Sequence, residues 1–168
     1  MIATRTLTND CQTFVFIERH LAAINNLLKQ LSGKIEPINM SQLHALISDY
    51  PRSVIILAED RNDEQNVRVV GMCMIFFQPR LEGPLAEIHS VVVDDHYRGQ
   101  GIGDLLTKTM LGEARKYVNL NDTSLTIYLT SKPARQAANG LYIKHDFTLV
   151  AQASGDAGTN LYKLVIEP

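Results

Sequence analysis

The sequence predicts an α/β domain built on a mixed β-sheet with helices on both faces. The predicted elements run in the order helices, antiparallel strands and then a strand-helix-strand-helix-strand unit, which is typical of a mixed sheet. A glycine-rich loop joins one β-branched strand of this unit directly to an amphipathic helix. With 168 residues and 45% hydrophobic content, the chain can bury one sizeable core, so residues 1–168 are expected to form a single domain.

Hydrophobic periodicity predicts four elements in the first half of the chain: a helix over residues 14–31, a short helix that ends at residue 47, and strands over residues 53–58 and 67–77. The beginning of the first helix also fits a strand that runs into it, and Gly33 closes the helix. Ser41 is expected to cap the second helix, and Pro51 ends that segment. Gly71 marks either a bulge or a point of close backbone approach.

The second half is predicted to alternate between strands and helices. Its elements are a strand over residues 85–93, a helix over 103–118, a strand over 125–129, a helix over 134–144, and two terminal strands near 147–151 and 161–166. The first of these strands leads into the glycine-rich loop, so a ligand site is expected in this half of the chain.

The loop after this strand carries three glycines in five residues, Gly99, Gly101 and Gly103. Glycine permits backbone dihedrals that other residues avoid, and its missing side chain lets a ligand approach the main chain closely. Because the loop opens directly into a helix, unpaired N–H groups and the positive end of the helix dipole converge there. The sequence therefore predicts a phosphate-binding loop, although the same glycines also fit a simple tight turn.

Two common nucleotide-binding patterns do not fit this loop. A Walker loop ends in Gly-Lys-Ser/Thr, whereas Gly103 is followed by Asp104 and Leu105. A dinucleotide-binding fingerprint would need its third glycine at position 104, and it normally lies in the first βαβ unit of a longer chain. The pattern that does fit is Arg/Gln-x-x-Gly-x-Gly/Ala after a strand, which Arg98, Gly101 and Gly103 satisfy.

A second motif lies downstream, where Ala138-Asn139-Gly140-Leu141-Tyr142 leads to Asp146-Phe147. This segment is similar to the Ala-Asn-x-Leu-Tyr-x-x-x-Gly-Phe segment of the GNAT superfamily of acyl-CoA-dependent N-acyltransferases, with Asp146 in place of the glycine. The glycine loop resembles the pyrophosphate loop of the same family. The two motifs occur in the family's order and at its usual separation, and together they cover roughly the C-terminal half of the chain.

The resemblance implies the GNAT fold, in which the strand before the loop and the strand after its helix run parallel and splay apart. The pantetheine arm of acetyl-CoA, the expected co-substrate, enters this cleft like an added strand. An N–H near residues 91–93 would polarise the acetyl carbonyl as the oxyanion forms. The expected cofactor-binding residues are the backbone groups of Val91, Val92 and Val93, the loop residues Arg98, Gly99, Gln100, Gly101, Ile102, Gly103 and Asp104, and the helix residues Asn139 and Tyr142.

Glu87 and His89 are the candidate bases on the strand that precedes the loop. Period-two alternation places them on one face of the strand with Val91 and Val93. The two titratable groups are therefore expected on the face that continues to the acetyl site, where either could accept a proton from the amine. Family members often carry a glutamate at one of these two positions, and we favour Glu87. The alternative is a surface salt bridge for Glu87 and a hydrogen-bonded, partly buried histidine at position 89.

Tyr142 is the third catalytic candidate, because it lies at the family position whose hydroxyl points at the CoA sulfur and acts as the general acid. Its ring can pack against the cofactor arm while its hydroxyl donates to the thiolate. The alternative is core packing at helical spacing with Ala138. Asn139 resembles the residue that hydrogen-bonds the pantetheine or supports the loop, with a helix-surface amide as the alternative. Asp146 is expected to take the left-handed conformation that glycine normally supplies.

Composition argues against several other functions. The net charge of -2 provides no broad attraction to nucleic acid or to an anionic membrane, and no apolar run is long enough to span a bilayer. Cys11 and Cys73 lack metal-ligand or redox spacing, so they are expected to be reduced thiols in a cytoplasmic protein. The five histidines show no metal-binding spacing, so no metal site is expected.

Together these observations predict an acetyl-CoA-dependent N-acetyltransferase that acts by direct attack of an amine in a ternary complex. Its partners are expected to be acetyl-CoA and a primary amine on a small molecule or a protein, with the N-terminal helices and residues 78–84 selecting the acceptor. The alternative is a GNAT-fold module that binds acyl-CoA as a sensor without turnover. Because many relatives dimerise, the resemblance also allows a homodimer.

Overall fold

The structure is a computed structural model that describes residues 1–63, 66–153 and 158–168. Its strands are β1 (Ile2–Leu7), β2 (Ser53–Asp60), β3 (Arg68–Gln78), β4 (Leu85–Val93), β5 (Leu125–Ser131), β6 (Thr148–Ala151) and β7 (Asn160–Ile166). Its helices are α1 (Cys11–Leu31), α2 (Met40–Ser48), α3 (Ile102–Asn121) and α4 (Gln136–Lys144), and a short 3-10 turn spans Asp95–Tyr97. The sequence analysis located every one of these strands and helices except β1, with the ends displaced by a few residues.

The seven strands form one mixed sheet in the order β1-β2-β3-β4-β5-β7-β6, which confirms the predicted fold class. Strands β4 and β5 run parallel, whereas β1 with β2, β5 with β7, and β6 with β7 are antiparallel. The chain clusters into two compact units whose boundaries fall within β3, β4 and α3. The first unit comprises Met1–Ile75 and Ser90–Met110, and the second unit comprises Phe76–His89 and Leu111–Pro168.

The core of the first unit is built on the amphipathic helix α1. Asp10 caps this helix, since its Oδ1 accepts a hydrogen bond from the Thr13 N–H at 2.8 Å. Ile17, Ile24 and Leu27 recur at helical spacing and are at most 3% exposed. Complete burial of such a side chain contributes about 1.5–3 kcal/mol, so this stripe fixes the helix against the rest of the unit.

The cap of α2 differs from the prediction. Asn39, not Ser41, is the N-cap, because Asn39 Oδ1 accepts from the Gln42 N–H at 2.9 Å. The Asn39 N–H in turn donates to Gln42 Oε1 at 2.8 Å, which completes a capping box. Ser41 lies inside the helix, so a favourable cap residue two positions upstream decided where the helix begins.

Gly71 in β3 is a point of close approach, as one of its two interpretations predicted. A Cβ atom at this position would lie 3.1 Å from the Val92 carbonyl oxygen and 3.1 Å from Leu106 Cδ1. The missing side chain therefore lets the first turns of α3 pack directly on the strand. Cys73 lies on the same strand, where burial raises the pKa of its thiol to about 12, so it is an inert core residue.

The second unit contains the parallel strand pair. The register of β4 with β5 runs from Leu85 opposite Thr126 to Ile88 opposite Leu129. Antiparallel β7 pairs with β5 on its other side, and it also pairs with the short strand β6. Alternate residues of β5 are buried, which leaves the intervening side chains on the opposite face of this strand.

Helix α4 ends at Lys144, two residues before Asp146, which stands where the similar motif has a glycine. Asp146 has a φ of +65°, so the predicted left-handed conformation is confirmed. The Phe147 N–H donates to the Tyr142 carbonyl at 3.0 Å, which satisfies one of the last carbonyl groups of the helix. Aspartate tolerates this conformation better than a β-branched residue would, so the substitution keeps the helix end intact.

Candidate functional site

The glycine loop has a left-handed backbone at two of its three glycines. Gly99 and Gly101 have φ values of +76° and +79°, a region that glycine adopts without strain. No heavy atom lies within 4 Å of a Cβ placed at either position, so the space beside the main chain is open. The first helical hydrogen bond of α3 runs from the Leu105 N–H to the Gly101 carbonyl at 3.0 Å. The N–H groups of Ile102 and Gly103 therefore precede the hydrogen-bonded part of the helix.

The start of this loop is held by two distant parts of the first unit. The Asp94 N–H donates to the Val70 carbonyl of β3 at 2.9 Å. Gln30, in the last turn of α1, donates from Nε2 to Asp94 Oδ2 at 2.9 Å, and its Oε1 accepts from the Asp95 N–H at 2.9 Å. Burial would raise the pKa of the Asp94 carboxyl, but hydrogen bonds from Gln30 and His96 outweigh it and hold the pKa below its usual range.

Further contacts hold Tyr97 and Arg98, one with β2 and the others with residues close to the loop in sequence. Tyr97 donates its hydroxyl to Asp60 Oδ2 of β2 at 3.1 Å. The Arg98 guanidinium pairs with the Asp95 carboxylate, and its Nε donates to the Val93 carbonyl at 3.2 Å. Because the Arg98 side chain is 58% exposed, its remaining N–H donors face outward. Arg98 thus stiffens the loop in addition to offering charge to a ligand.

Strand β4 carries Glu87 and His89 side by side in the second unit. His89 Nε2 and Glu87 Oε2 are 3.3 Å apart, and the two side chains are 52% and 45% exposed. This contact matches the surface pairing that the alternative interpretation gave Glu87, whereas the partly buried histidine of that alternative is wrong because His89 is exposed. An exposed carboxylate next to an imidazole can accept a proton and pass it to solvent.

The predicted alternation along β4 is wrong beyond His89. Ser90 has a φ of +55°, and this left-handed residue interrupts the two-residue period. Val91 and Val92, which follow it, are both buried. Glu87 and His89 share a face, but that face does not continue to Val91 and Val93.

A shallow pocket of about 130 Å³ lies where the β4–β5 register ends. Glu87 and His89 line it from β4, and Tyr128 and Thr130 line it from β5. Glu87 and Tyr128 are directly opposite one another in the parallel register. The pocket thus combines a carboxylate, an imidazole and two hydroxyl groups beside the end of a parallel strand pair, which suits a polar ligand carrying an ionisable group.

Tyr142 on α4 is buried, at 2% exposure. Its ring lies in an aromatic cluster, with ring centroids 6.1 Å from Phe147 and 5.7 Å from Tyr162. The core-packing role that the sequence allowed is therefore present. Packing fixes the position of the ring. The role of the Tyr142 hydroxyl as general acid stays a prediction.

Two buried polar atoms of the second unit have no hydrogen-bond partner among the described residues, Ser131 Oγ and Asn139 Oδ1. The Asn139 amide nitrogen donates to the carbonyls of Lys132 and Pro133 at 3.1 and 3.3 Å. These two acceptors identify which side-chain atom is nitrogen and leave the oxygen without a donor. An unpaired buried polar atom is costly, so both atoms are candidates for contacting a ligand.

Sequence reasoning did not identify Gln30, Asp60 or Ser131. Gln30 and Asp60 form hydrogen bonds with residues 64 and 37 positions later in the chain. A local sequence pattern cannot predict contacts over such separations. Ser131 lies beyond the strand predicted over residues 125–129, and its lack of a partner becomes evident only when the burial of its hydroxyl is known.

The described residues show neither a metal-binding cluster nor a membrane-spanning helix. Within residues 1–63, 66–153 and 158–168, no group of three or more His, Cys, Asp or Glu side chains is arranged to hold a metal ion. No helix in the described parts of the chain has both the length and the apolar character needed to cross a bilayer.

Comparison with known proteins identifies the family of the chain. A sequence model described as the acetyltransferase (GNAT) family matches residues 21–147, which is more than half of the chain and includes both motifs. No curated protein sequence matches the chain significantly.

Several solved structures have the same fold. The GNAT-family acetyltransferase from Streptococcus pneumoniae matches with a TM-score of 0.72 at 15% identity, covering 99% of this chain and 100% of that chain. Arabidopsis thaliana NAA60 in complex with a bisubstrate analogue matches with a TM-score of 0.64 at 19% identity, covering 99% and 100%. Arabidopsis thaliana glucosamine-6-phosphate N-acetyltransferase matches with a TM-score of 0.63 at 16% identity, covering 92% and 97%. At these identities the likeness establishes the fold.

Proposed function

Because the chain belongs to the acetyltransferase (GNAT) family, we propose that it transfers the acetyl group of acetyl-CoA to a primary amine by direct attack within a ternary complex. The chain is an acyltransferase, and acetyl-CoA is its co-substrate. We also propose that residues 1–168 act as one catalytic domain. The two free thiols, Cys11 and Cys73, support a reducing, cytoplasmic location.

The observation that carries the proposal is the left-handed backbone at Gly99 and Gly101 directly ahead of α3. Loop residues Arg98, Gly99, Gln100, Gly101, Ile102, Gly103 and Asp104 would bind the pyrophosphate of acetyl-CoA, chiefly through backbone N–H groups and the helix dipole. The carboxylate of Asp104 pairs with Lys108 at 2.7 Å, which reduces its repulsion of a phosphate. In this proposal the loop binds the pyrophosphate through main-chain groups and one exposed side chain, that of Arg98.

The pantetheine arm contains two amides, which need hydrogen-bond partners. Ser131 Oγ and Asn139 Oδ1 are buried and unpaired, so we assign both to the arm. The backbone of Val91, Val92 and Val93 would align the arm as an added strand and polarise the acetyl carbonyl. Side-chain identity matters little at the three valines, because main-chain groups make these contacts.

The acceptor amine would enter the pocket lined by Glu87 and His89. An ammonium group is attracted to the Glu87 carboxylate, which can take its proton and leave a neutral nucleophile. His89 lies within ion-pair distance of this carboxylate and can pass the proton on to water. Tyr128 and Thr130 add hydroxyl groups that can orient a polar acceptor.

Residues between β3 and β4 contribute to acceptor selection in this scheme. Leu81 is fully exposed on this connection, and Arg80 and Glu82 beside it form an ion pair at 3.7 Å. An exposed apolar side chain flanked by two charges suits contact with a substrate that carries both polar and apolar groups. The acceptor is thus expected to reach beyond the amine that is acetylated.

Replacing Gly101 with valine tests the loop assignment. A β-branched residue at a φ of +79° is strained and would place methyl groups where the pyrophosphate approaches, so the Kd for CoA should rise about tenfold or more. Isothermal titration calorimetry measures this change. Gly83→Val is the matched control, since Gly83 also has a positive φ and open surroundings but lies outside the loop. Equal CoA affinity in folded Gly101→Val and in the control would contradict the assignment.

The Glu87→Gln and His89→Gln variants test the base. If Glu87 takes the proton, Glu87→Gln should lower the turnover number about a hundredfold and His89→Gln should lower it less, while the KM for acetyl-CoA stays near normal. Steady-state kinetics with an accepted amine and acetyl-CoA provide both constants. Small and equal losses in the two variants would mean that the amine arrives neutral and that neither side chain is required.

Changing Tyr142 to phenylalanine tests the general acid. The substitution keeps the packed ring and removes only the hydroxyl, so turnover should fall about a hundredfold if the hydroxyl protonates the departing thiolate. CoA affinity and the melting temperature should change little. A lowered melting temperature with full turnover would instead restrict Tyr142 to core packing, where loss of one hydrogen bond costs about 1 kcal/mol.

A further inference from the structure

We propose that Gln30 is a positioning residue for acetyl-CoA, which it serves by clamping the start of the cofactor loop to helix α1. The inference rests on the proposed function, because it takes the loop over residues 98–104 to be the CoA site. Gln30 does not belong to either motif and lies far from the loop in sequence. Its side chain nevertheless makes two of the hydrogen bonds that hold the residues leading into the loop.

The chemistry of the clamp requires a neutral amide. One end of the Gln30 side chain donates to the Asp94 carboxylate at 2.9 Å, and the other end accepts from the Asp95 N–H at 2.9 Å. A glutamate would set a second carboxylate against Asp94, and an aliphatic residue would leave both partners without a bond. The clamp therefore needs one donor and one acceptor on a single planar group.

Both sides of the clamp are rigidly supported. On the helix side, Leu27 and Leu28 precede Gln30 in α1 and are buried in the core of the first unit. On the loop side, Asp94 also accepts from the His96 N–H at 3.0 Å, and its own N–H donates to Val70 at 2.9 Å. Gln30 thus ties the loop to an element that cannot shift without disturbing the core.

A loop held in its binding conformation needs less ordering when the ligand arrives, so its affinity is higher. Loss of the clamp should weaken CoA binding and raise the KM for acetyl-CoA, while kcat changes little once the ligand is bound. A residue that served only overall stability would lower the melting temperature without this division between KM and kcat.

A donor–acceptor exchange tests the clamp. Gln30→Glu opposes two carboxylates and Asp94→Asn opposes two amide nitrogens, so each single change should raise the Kd for CoA about tenfold. In the double variant Gln30→Glu with Asp94→Asn, the new asparagine donates to the new glutamate and the Asp95 N–H keeps its acceptor. Calorimetry should then return the Kd to within about threefold of the wild-type value.

Asn26→Glu is the matched control, because this exposed residue lies one turn earlier on α1 and receives the same change in charge. Its Kd for CoA should stay at the wild-type value. Wild-type affinity in Gln30→Glu, or a double variant as weak as the single ones, would overturn the role of Gln30 and leave the proposed function intact. Failure of the wild-type protein itself to bind CoA would overturn the proposed function, and the role of Gln30 with it.

Discussion

The left-handed backbone at Gly99 and Gly101 is the constraint around which the glycine loop is built. Both glycines precede α3, where the N–H groups of Ile102 and Gly103 come before the first helical hydrogen bond. Gly71 lets Leu106 of α3 pack closely against β3, since a Cβ at this position would lie 3.1 Å from Leu106 Cδ1. Gly99 and Gly101 shape the loop, and Gly71 of β3 leaves room for α3, the helix that follows the loop.

The same loop is held by contacts that have no phosphate-binding role of their own. Gln30 of α1 and the Val70 carbonyl of β3 both bond to Asp94, and Gln30 also accepts from the Asp95 N–H. Asp60 of β2 accepts from the Tyr97 hydroxyl. A main-chain anion site works best when its donors are already oriented, because ordering a loop during binding reduces affinity. If the loop binds acetyl-CoA as proposed, the scaffold of the first unit would raise its affinity by holding the start of the loop.

Sequence reasoning succeeded where the signal was local. The strand, the glycine loop and the helix after it could be read from about 30 neighbouring residues, and the left-handed Asp146 followed from its place at a helix end. It failed at β1, a strand of intermediate burial that is half of a pair with a partner some 50 positions away. It also failed at Ser90, since nothing in a run of apolar and polar residues announces one left-handed residue inside a strand. The roles of Glu87, His89 and Tyr142 remain predictions, because they depend on substrate.

The most direct measurement of the central claim is an amide chemical-shift titration of the 15N-labelled protein with CoA and, separately, with pantetheine. If main-chain N–H groups of the loop bind the pyrophosphate, CoA should shift the amide resonances of Gly99, Gly101 and Gly103, whereas pantetheine, which has no pyrophosphate, should leave these three unchanged. Saturable binding of CoA with the three glycine resonances unmoved would contradict the account.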